Sequence, residues 1–488
     1  MKSFRFIVIS FLMIAVSASL DAKVTLPEII SDNMVLQQQT DVALWGTAEP
    51  GKKVRVKATW DRSVTVVLAD SQTGRWKVTL KTPGAGGPYE ITISDGEAVT
   101  LKNVLVGEVW FCSGQSNMEM PVKGYPSTPA EGGAQAIIGA RASRPLRICN
   151  IPHASSVTVR DKAAGHWEEN RPEVVANTSA AAYFFADALQ TALDVPVGII
   201  VSCWGGSSIQ TWMKRDILAE KFPEVDLGAT DGKHPVVSEN QDACLLYNAM
   251  VAPLVPYTFK GMIWYQGETN REHPAQYTRL QTEYVAMMRE LFNVPDAPFY
   301  FAQIAPFWYW EERECFFSGY FYEGQANSLK TIPHSGMVVT CDIGDKYNIH
   351  PFRKKELGRR FAMLALQHDY GCTSICSDAP TYKSVEFREG KAYVTFNVDD
   401  LYLATIGADI VGFEISGADR LFHEAAAKID WDNYRRVIVF SPEVPEPVAV
   451  RYCFKNWCTG NLYNNFGIPA APFRTDDWDD LYLRDWKQ

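Results

Sequence analysis

The chain has 488 residues, 47% hydrophobic and 21% charged, with 14 Trp and 21 Tyr; this excludes a disordered, low-complexity or collagen-like protein and leaves several packed units around a large core. Its 47 Lys+Arg against 57 Asp+Glu give a formal charge of -10, so there is no cationic excess to neutralise a nucleic-acid backbone or an anionic bilayer.

Residues 1–22 carry Lys2 and Arg5, then an apolar run from Phe6 to Val16, then the small residues of Ser17-Ala18-Ser19-Leu20-Asp21-Ala22. That is the pattern of a secretory signal peptide with cleavage after Ala18 or Ala22, and the run is too short to span a bilayer. No Cys follows it to take a lipid, so the mature chain is expected in the periplasm or outside the cell without stable membrane insertion. Of ten cysteines only two pairs are close, Cys372 with Cys376 and Cys453 with Cys458. Each pair is read either as a short disulfide ring or as buried free thiols. None of the eight histidines stands at a helical i, i+4 interval from another, so neither a metal nor an organic cofactor is expected.

Residues 23–103 show short period-two runs, such as Val54-Arg55-Val56-Lys57, separated by turn clusters such as Glu49-Pro50-Gly51. They predict a small Ig-like β-sandwich. From 104 to 372 apolar strands alternate with long amphipathic segments. Strands are expected at Glu108–Cys112, Val197–Cys203, Gly261–Tyr265, Phe299–Ile304 and Met337–Cys341. Helices are expected at Ser179–Leu193, Ala275–Phe292, Tyr320–Leu329 and Lys354–Tyr370. The alternation predicts an α/β unit, a parallel sheet flanked by helices on both faces, with ligands beyond the carboxyl ends of its strands. Residues 373–488 return to β patterning, as in Ala392-Tyr393-Val394-Thr395-Phe396, and predict a second β-rich unit.

Three of the strands run into polar ends. The first leads to Ser113-Gly114-Gln115-Ser116-Asn117-Met118, where Ser116 is the candidate nucleophile beside free backbone N–H groups. The alternative for so short a motif is a polar turn. The second ends in Trp204-Gly205-Gly206-Ser207-Ser208, whose glycines permit close backbone approach, and the third in Gln266-Gly267-Glu268-Thr269-Asn270, where the Gln266 amide is a third candidate donor. A Gly-x-Ser-x-Gly elbow is absent, because Met118 takes its last place. His350, in Asp342-Ile343-Gly344-Asp345-Lys346-Tyr347-Asn348-Ile349-His350-Pro351, follows the fifth strand and is the candidate base. The other histidines are assigned to surface or packing roles.

These residues resemble the sialate O-acetylesterase family, a branch of the SGNH hydrolases. The motifs are Gly-Gln-Ser-Asn-Met at 114–118, Trp-Gly-Gly-Ser-Ser-Ile at 204–209, Ile-Trp-Tyr-Gln-Gly-Glu-Thr-Asn at 263–270 and Asp-Ile-Gly-Asp…Ile-His-Pro at 342–351. Met34-Val35-Leu36-Gln37 and Phe473-Arg474-Thr475-Asp476 extend the match over the mature chain. The resemblance implies an SGNH-like sheet and hydrolysis of O-acetyl groups on sugars. It implies Ser116 as nucleophile, His350 as base, and an oxyanion hole of the Ser116 and Gly206 N–H groups with the Gln266 side chain. Where the wider SGNH pattern has an Asn, Gln266 stands here, with Asn270 as the weaker alternative; where it has an Asp three residues before the His, Tyr347 stands. The acid is therefore expected at Asp345, with Asp342 as the alternative, Asn348 being uncharged, and a backbone carbonyl orienting the imidazole as the remaining option.

Gln115, Asn117, Trp308, Trp310 and Arg271 are expected to contact substrate, Trp308 and Trp310 of the aromatic run Pro306-Phe307-Trp308-Tyr309-Trp310 by stacking on a sugar ring, the equal alternative being a loop packed onto the neighbouring β unit, and Arg271 by meeting a carboxylate, with Arg313 as a second option. The leading expectation is an exported serine esterase acting on O-acetyl sialic acids. An acetylxylan or other plant-polysaccharide acetylesterase is the runner-up, and a non-catalytic carbohydrate-binding protein is the rival from another class.

Overall fold

A computed structural model describes residues 24–309, 317–398, 402–407 and 409–479. The signal-peptide reading of residues 1–22, Trp310 and Arg313 fall outside the described residues. No helix among those described is long and apolar enough to cross a membrane.

The N-terminal unit is built from β1 (Asp41–Thr47), β2 (Lys53–Ala58), β3 (Arg75–Lys81) and β4 (Gly86–Ser94). The alternating buried and exposed positions of β2 and β3 are those of strands with one face on a core. β5 (Ala98–Gly114) leaves this unit without interruption. Its first half pairs antiparallel with β4, and its second half becomes the central strand of the large sheet. A single 17-residue strand thus runs through the boundary expected at position 103, so the two units share a strand.

The central sheet adds β6 (Leu146–Asn150), β7 (Trp167–Glu169), β8 (Val197–Cys203), β9 (Gly261–Tyr265), β10 (Phe299–Ala302) and β11 (Ser335–Val338), in the order β11-β10-β9-β5-β8-β6-β7. All neighbours are parallel except β7, which closes one edge antiparallel. β6 and β7 escape the periodicity reading because they are short and because β6 carries Arg147, which is buried beside Glu169.

Alternate residues of the strands supply two cores. Phe111, Ile200, Met262 and Phe301 face the helix α3 (Pro274–Leu291), whose Leu280, Tyr284 and Met288 meet them. Trp110, Cys112, Ile199, Ile263 and Tyr300 face α2 (Ala180–Leu193) and α5 (Lys354–His368). Trp110 meets Phe185 edge-on with ring centroids 4.9 Å apart, as an aromatic pair prefers. The two helices approach closely at Gly358, where a Cβ would stand 2.7 Å from the Phe184 Cβ and the Phe185 N. Ser179 caps α2 by accepting the Ala182 N–H at 3.1 Å.

The C-terminal unit contains β12 (Thr381–Arg388), β13 (Lys391–Asn397), β14 (Phe413–Ser416), β15 (Ala426–Asp430), β16 (Asn433–Phe440) and β17 (Ala449–Tyr452), with β12-β13-β16-β15 forming one antiparallel sheet. It supports the catalytic edge directly. Phe307 N–H donates to Asn456 O at 2.9 Å, and the Tyr463 hydroxyl lies 3.4 Å from Asp342. Cys453 and Cys458 are both free, their Sγ atoms 3.5 Å apart, and Cys372 is free as well.

Candidate active site

Three strand ends meet in register. Cys203 at the end of β8 and Tyr265 at the end of β9 both pair with Gly114, the last residue of β5. Gly114 has φ +146°, and a Cβ there would lie 2.1 Å from the Tyr265 carbonyl oxygen, so a residue with a side chain cannot close this junction. Gln115 then turns the chain, and Ser116 opens the short helix α1 (Ser116–Glu119).

Gly205 packs against the nucleophile position, its Cβ direction ending 3.2 Å from the Ser116 Cβ. The backbone N–H groups of Ser116 and Gly206 have no hydrogen-bond partner among the described residues. The loop carrying Gly206 is fixed by its carbonyls instead. Asn240 Nδ2 donates to Gly205 O at 2.6 Å, while Gln241 and the Thr269 hydroxyl donate to Gly206 O at 3.2 Å each. Because a trans peptide sets C=O and N–H on opposite sides, the Asn240 bond to Gly205 O fixes the direction of the Gly206 N–H.

His350 lies in the loop between β11 and α5. Its ring meets Tyr125 edge-on at 5.0 Å, and the Tyr125 hydroxyl donates to Ser116 O at 3.2 Å, linking His350 and Ser116 through one side chain. Burial and the nearby Lys354 ammonium press the His350 imidazole down to about 4, partly opposed by the Glu119 carboxylate. It is therefore neutral, the form a general base needs, across the ordinary pH range.

A buried polar cluster holds the His350 loop to α1. Asn117 Nδ2 donates to Glu268 Oε1 at 2.6 Å and to Ile349 O at 3.0 Å, and its Oδ1 accepts from Lys354 Nζ at 2.6 Å. Burial holds the Glu268 carboxyl above its ordinary value and pushes Lys354 down to about 7, each opposed by the other's charge. Gln115 is also buried, its Oε1 accepting the Gly267 N–H at 3.1 Å. The expectation that Gln115 and Asn117 reach substrate is thus corrected: both are inside, joining α1 to the end of β9 and to the His350 loop.

Three further expectations change. Both amide hydrogens of Gln266 are engaged, to Ser207 O at 3.0 Å and Asn270 Oδ1 at 2.8 Å, so the side chain has no N–H left for an oxyanion; the Asn270 amide in turn donates to Gln210 at 2.9 Å. Asp345 is taken up by its own turn, accepting the Tyr347 and Asn348 N–H groups at 2.9 and 3.1 Å. Asp342 is buried in a bidentate pair with Arg360 at 2.8 and 2.6 Å. Neither aspartate bonds the imidazole. Asn348 accepts the His350 backbone N–H at 2.9 Å and donates through its amide to the Thr128 hydroxyl, so it shapes and anchors the loop.

The carboxylate that does reach the site is Glu119, one turn after Ser116. One oxygen accepts the Gly205 N–H, and the other is 2.9 Å from His153 Nε2. His153 lies flat on Trp204, with centroids 4.3 Å apart and planes within 4°. The i, i+3 spacing of Ser116 and Glu119 was the sequence signal for this residue. His153 had none, since the 50 residues that separate it from Trp204 include β7, α2 and β8.

On the other side, Trp308 is half-buried, its ring edge-on to the exposed Tyr347 at 6.1 Å with Lys346 Nζ 5.7 Å above it. Arg271 stacks its guanidinium 3.7 Å above the Tyr309 ring. Among the described residues no group of three or more His, Cys, Asp or Glu is placed to hold a metal ion.

Residues 106–367 match the family model of carbohydrate esterases described as sialic acid-specific acetylesterase. Mouse sialate O-acetylesterase is 25% identical over 91% of this chain and 93% of its own, and the human enzyme 27% identical over 73% of each. The crystal structure of a carbohydrate acetylesterase from Xanthomonas citri superposes with a TM-score of 0.83 at 35% identity, covering 93% of this chain and all of that one.

Proposed function

This chain belongs to the sialic acid-specific acetylesterase family of carbohydrate esterases and is a carboxylic ester hydrolase acting on O-acetylated carbohydrate; on that premise we propose that Ser116 and His350 carry the reaction, with the Ser116 and Gly206 N–H groups as its oxyanion hole. The observation behind this reading is the register of three strand ends at Gly114, which sets Ser116 against Gly205 and leaves those two N–H groups without a partner among the described residues.

In this reading Ser116 Oγ attacks the acetyl carbonyl carbon while His350 takes its proton. The carbonyl oxygen gains negative charge and is met by the two N–H groups, which need no reorganisation as the charge develops. Collapse breaks the bond to the sugar oxygen, which leaves with the proton from His350. Water, deprotonated by the same imidazole, then attacks the acetyl-serine and releases acetate. The imidazolium formed along the way has no aspartate bonded to it; the Glu119 carboxylate supplies the compensating negative charge from within the nucleophile's own helix.

The substrate we favour is an O-acetyl sialic acid, since the curated relatives are sialate O-acetylesterases. One observation favours a neutral acetylated polysaccharide: Arg271 is stacked on Tyr309, while Trp308 and Tyr347 offer aromatic surface beside the His350 loop. The kcat/KM ratio for O-acetyl sialic acid over acetylated xylooligosaccharides separates them. A ratio above one supports the first reading and a ratio below one the second. Export by the leader at residues 1–22 is part of the proposal and is tested by the N-terminal sequence of the mature protein.

A further inference from the structure

Away from the catalytic edge, three aromatic side chains of the C-terminal unit stand in solvent: Trp431 is 76% exposed, Tyr402 57% and Tyr434 43%. They form one chain of rings. Trp431 meets Tyr434 at 5.8 Å with planes 87° apart, and Tyr402 meets Tyr434 at 5.6 Å and 78°. Large aromatic surface left in water is costly and marks a binding site when it is contiguous.

Trp431 is held in place without being packed. It sits with Asp432 in the turn between β15 and β16, and the buried Asp430 fixes that turn. Its Oδ1 accepts the Asp432 N–H at 3.0 Å and its Oδ2 accepts Arg436 Nε at 2.7 Å. The turn that presents the ring is thereby pre-formed, which lowers the ordering cost of binding.

The chain of rings continues onto one face of the sheet. Tyr434 and Arg436 alternate to the same side of β16, and Arg436 reaches over the Tyr393 ring of β13 at 5.4 Å, with Arg388 of β12 over the same ring at 4.1 Å. Glu386 pairs with Tyr393 across β12 and β13 and is exposed. The opposite face of these strands, Val394, Val437 and Val439, is buried in the core. The outward face therefore presents ring surfaces flanked by planar, forked polar groups of both signs.

That chemistry selects the occupant. The apolar face of a pyranose stacks on an aromatic ring while its equatorial hydroxyls accept hydrogen bonds from guanidinium groups and donate them to carboxylates. Mixed charge gives no attraction for a polyanion or an anionic membrane. We propose that the face formed by Trp431, Tyr434, Tyr402 and Tyr393 with Arg388 is a second carbohydrate-binding site, which holds a polysaccharide chain away from the catalytic serine. The proposal rests on the reading that the substrate is carbohydrate. Within that reading it takes the side of the neutral acetylated polysaccharide over the O-acetyl sialic acid.

The test uses the full chain carrying Ser116→Ala, so that bound polymer is not deacetylated. Its retardation in native gels cast with soluble arabinoxylan, galactomannan or mixed-linkage β-glucan is compared with that of the same protein also carrying Trp431→Ala or Tyr434→Ala. Retardation by at least one polymer is expected, with Kd raised about tenfold by Trp431→Ala, the loss of one aromatic contact of roughly 1.4 kcal/mol. With Ser116 restored, Trp431→Ala is expected to keep the full rate on p-nitrophenyl acetate and to lose kcat/KM only on acetylated polymer. Absence of retardation by all three polymers, or retardation that Trp431→Ala and Tyr434→Ala both leave unchanged, would overturn the proposal. Failure of the esterase reading looks different: Trp431-dependent retardation would persist while no acetate is released from any acetylated sugar.

Discussion

Replacing Asn240 by alanine removes the donor that holds the Gly205 carbonyl, and nothing else at the site touches that oxygen among the described hydrogen bonds. The Gly205–Gly206 peptide, with Gly206 at φ +69°, is then free to rotate, because glycine tolerates either orientation. A hydrogen bond of this kind contributes about 0.5–1.5 kcal/mol net. Losing that bias leaves the Gly206 N–H aimed into the site for a correspondingly smaller fraction of the time. We expect kcat on p-nitrophenyl acetate to fall about tenfold, within the limit of roughly 10²–10³ that follows complete loss of an oxyanion donor. KM should be unchanged, since the donor acts on charge that develops only in the transition state. Melting temperature should move little, as Asn240 is only half-buried. Asn240→Asp, which sets an acceptor against the carbonyl, should be worse than alanine. A kcat within twofold of the parent, or a loss confined to KM, would refute the assignment of Gly206 to the oxyanion hole.

Glu119→Gln keeps an acceptor for the Gly205 N–H but removes the charge beside His350, so a loss of about tenfold in kcat is expected, and Glu119→Ala should lose more. A neutral His350 with its value near 4 places the acid limb of kcat/KM near pH 4, well below the ordinary imidazole range, with activity rising as pH rises through it; Lys354→Met should move that limb upward, which a pH–rate profile reads directly. His350→Ala should be nearly inactive. Asp345→Asn should keep most activity, whereas Asp342→Asn should act through stability, since breaking a buried bidentate pair with Arg360 costs about 3–5 kcal/mol in a denaturant titration. Asn117→Ala should lower kcat and melting temperature together, because it frees both the His350 loop and two buried charges.

How much of this was legible in the sequence varies with the residue. The strands β8 and β9 stand where apolar runs of buried-strand length predict them, and Ser116 and Gly205–Gly206 lie at strand ends as expected. The short β6 and β7 were missed because a buried Arg147 breaks the apolar run that marks a parallel strand. Gln266 illustrates a different difficulty. Its residue type and strand-end place suit an oxyanion donor, but only the packed structure shows that Ser207 and Asn270 already take both amide hydrogens. Lys354 reads as a solvated lysine at a helix start, and the polar closure over it by Asn117 is visible only when α1, α5 and the end of β9 come together. The acid followed the same course. Asp342 and Asp345 were sought near His350 in the chain, whereas the carboxylate we propose as the compensating charge, Glu119, stands more than two hundred residues earlier.

Acetate release measured on a panel of O-acetyl sialic acid, acetylated xylooligosaccharide and p-nitrophenyl acetate, for the parent chain and for Ser116→Ala, tests the central claim most directly. The account predicts acetate from at least one acetylated sugar, and a fall of several orders of magnitude for Ser116→Ala on every ester, with an unchanged melting temperature. Retention of more than about one part in a hundred of the rate by Ser116→Ala on the sugar ester would contradict it.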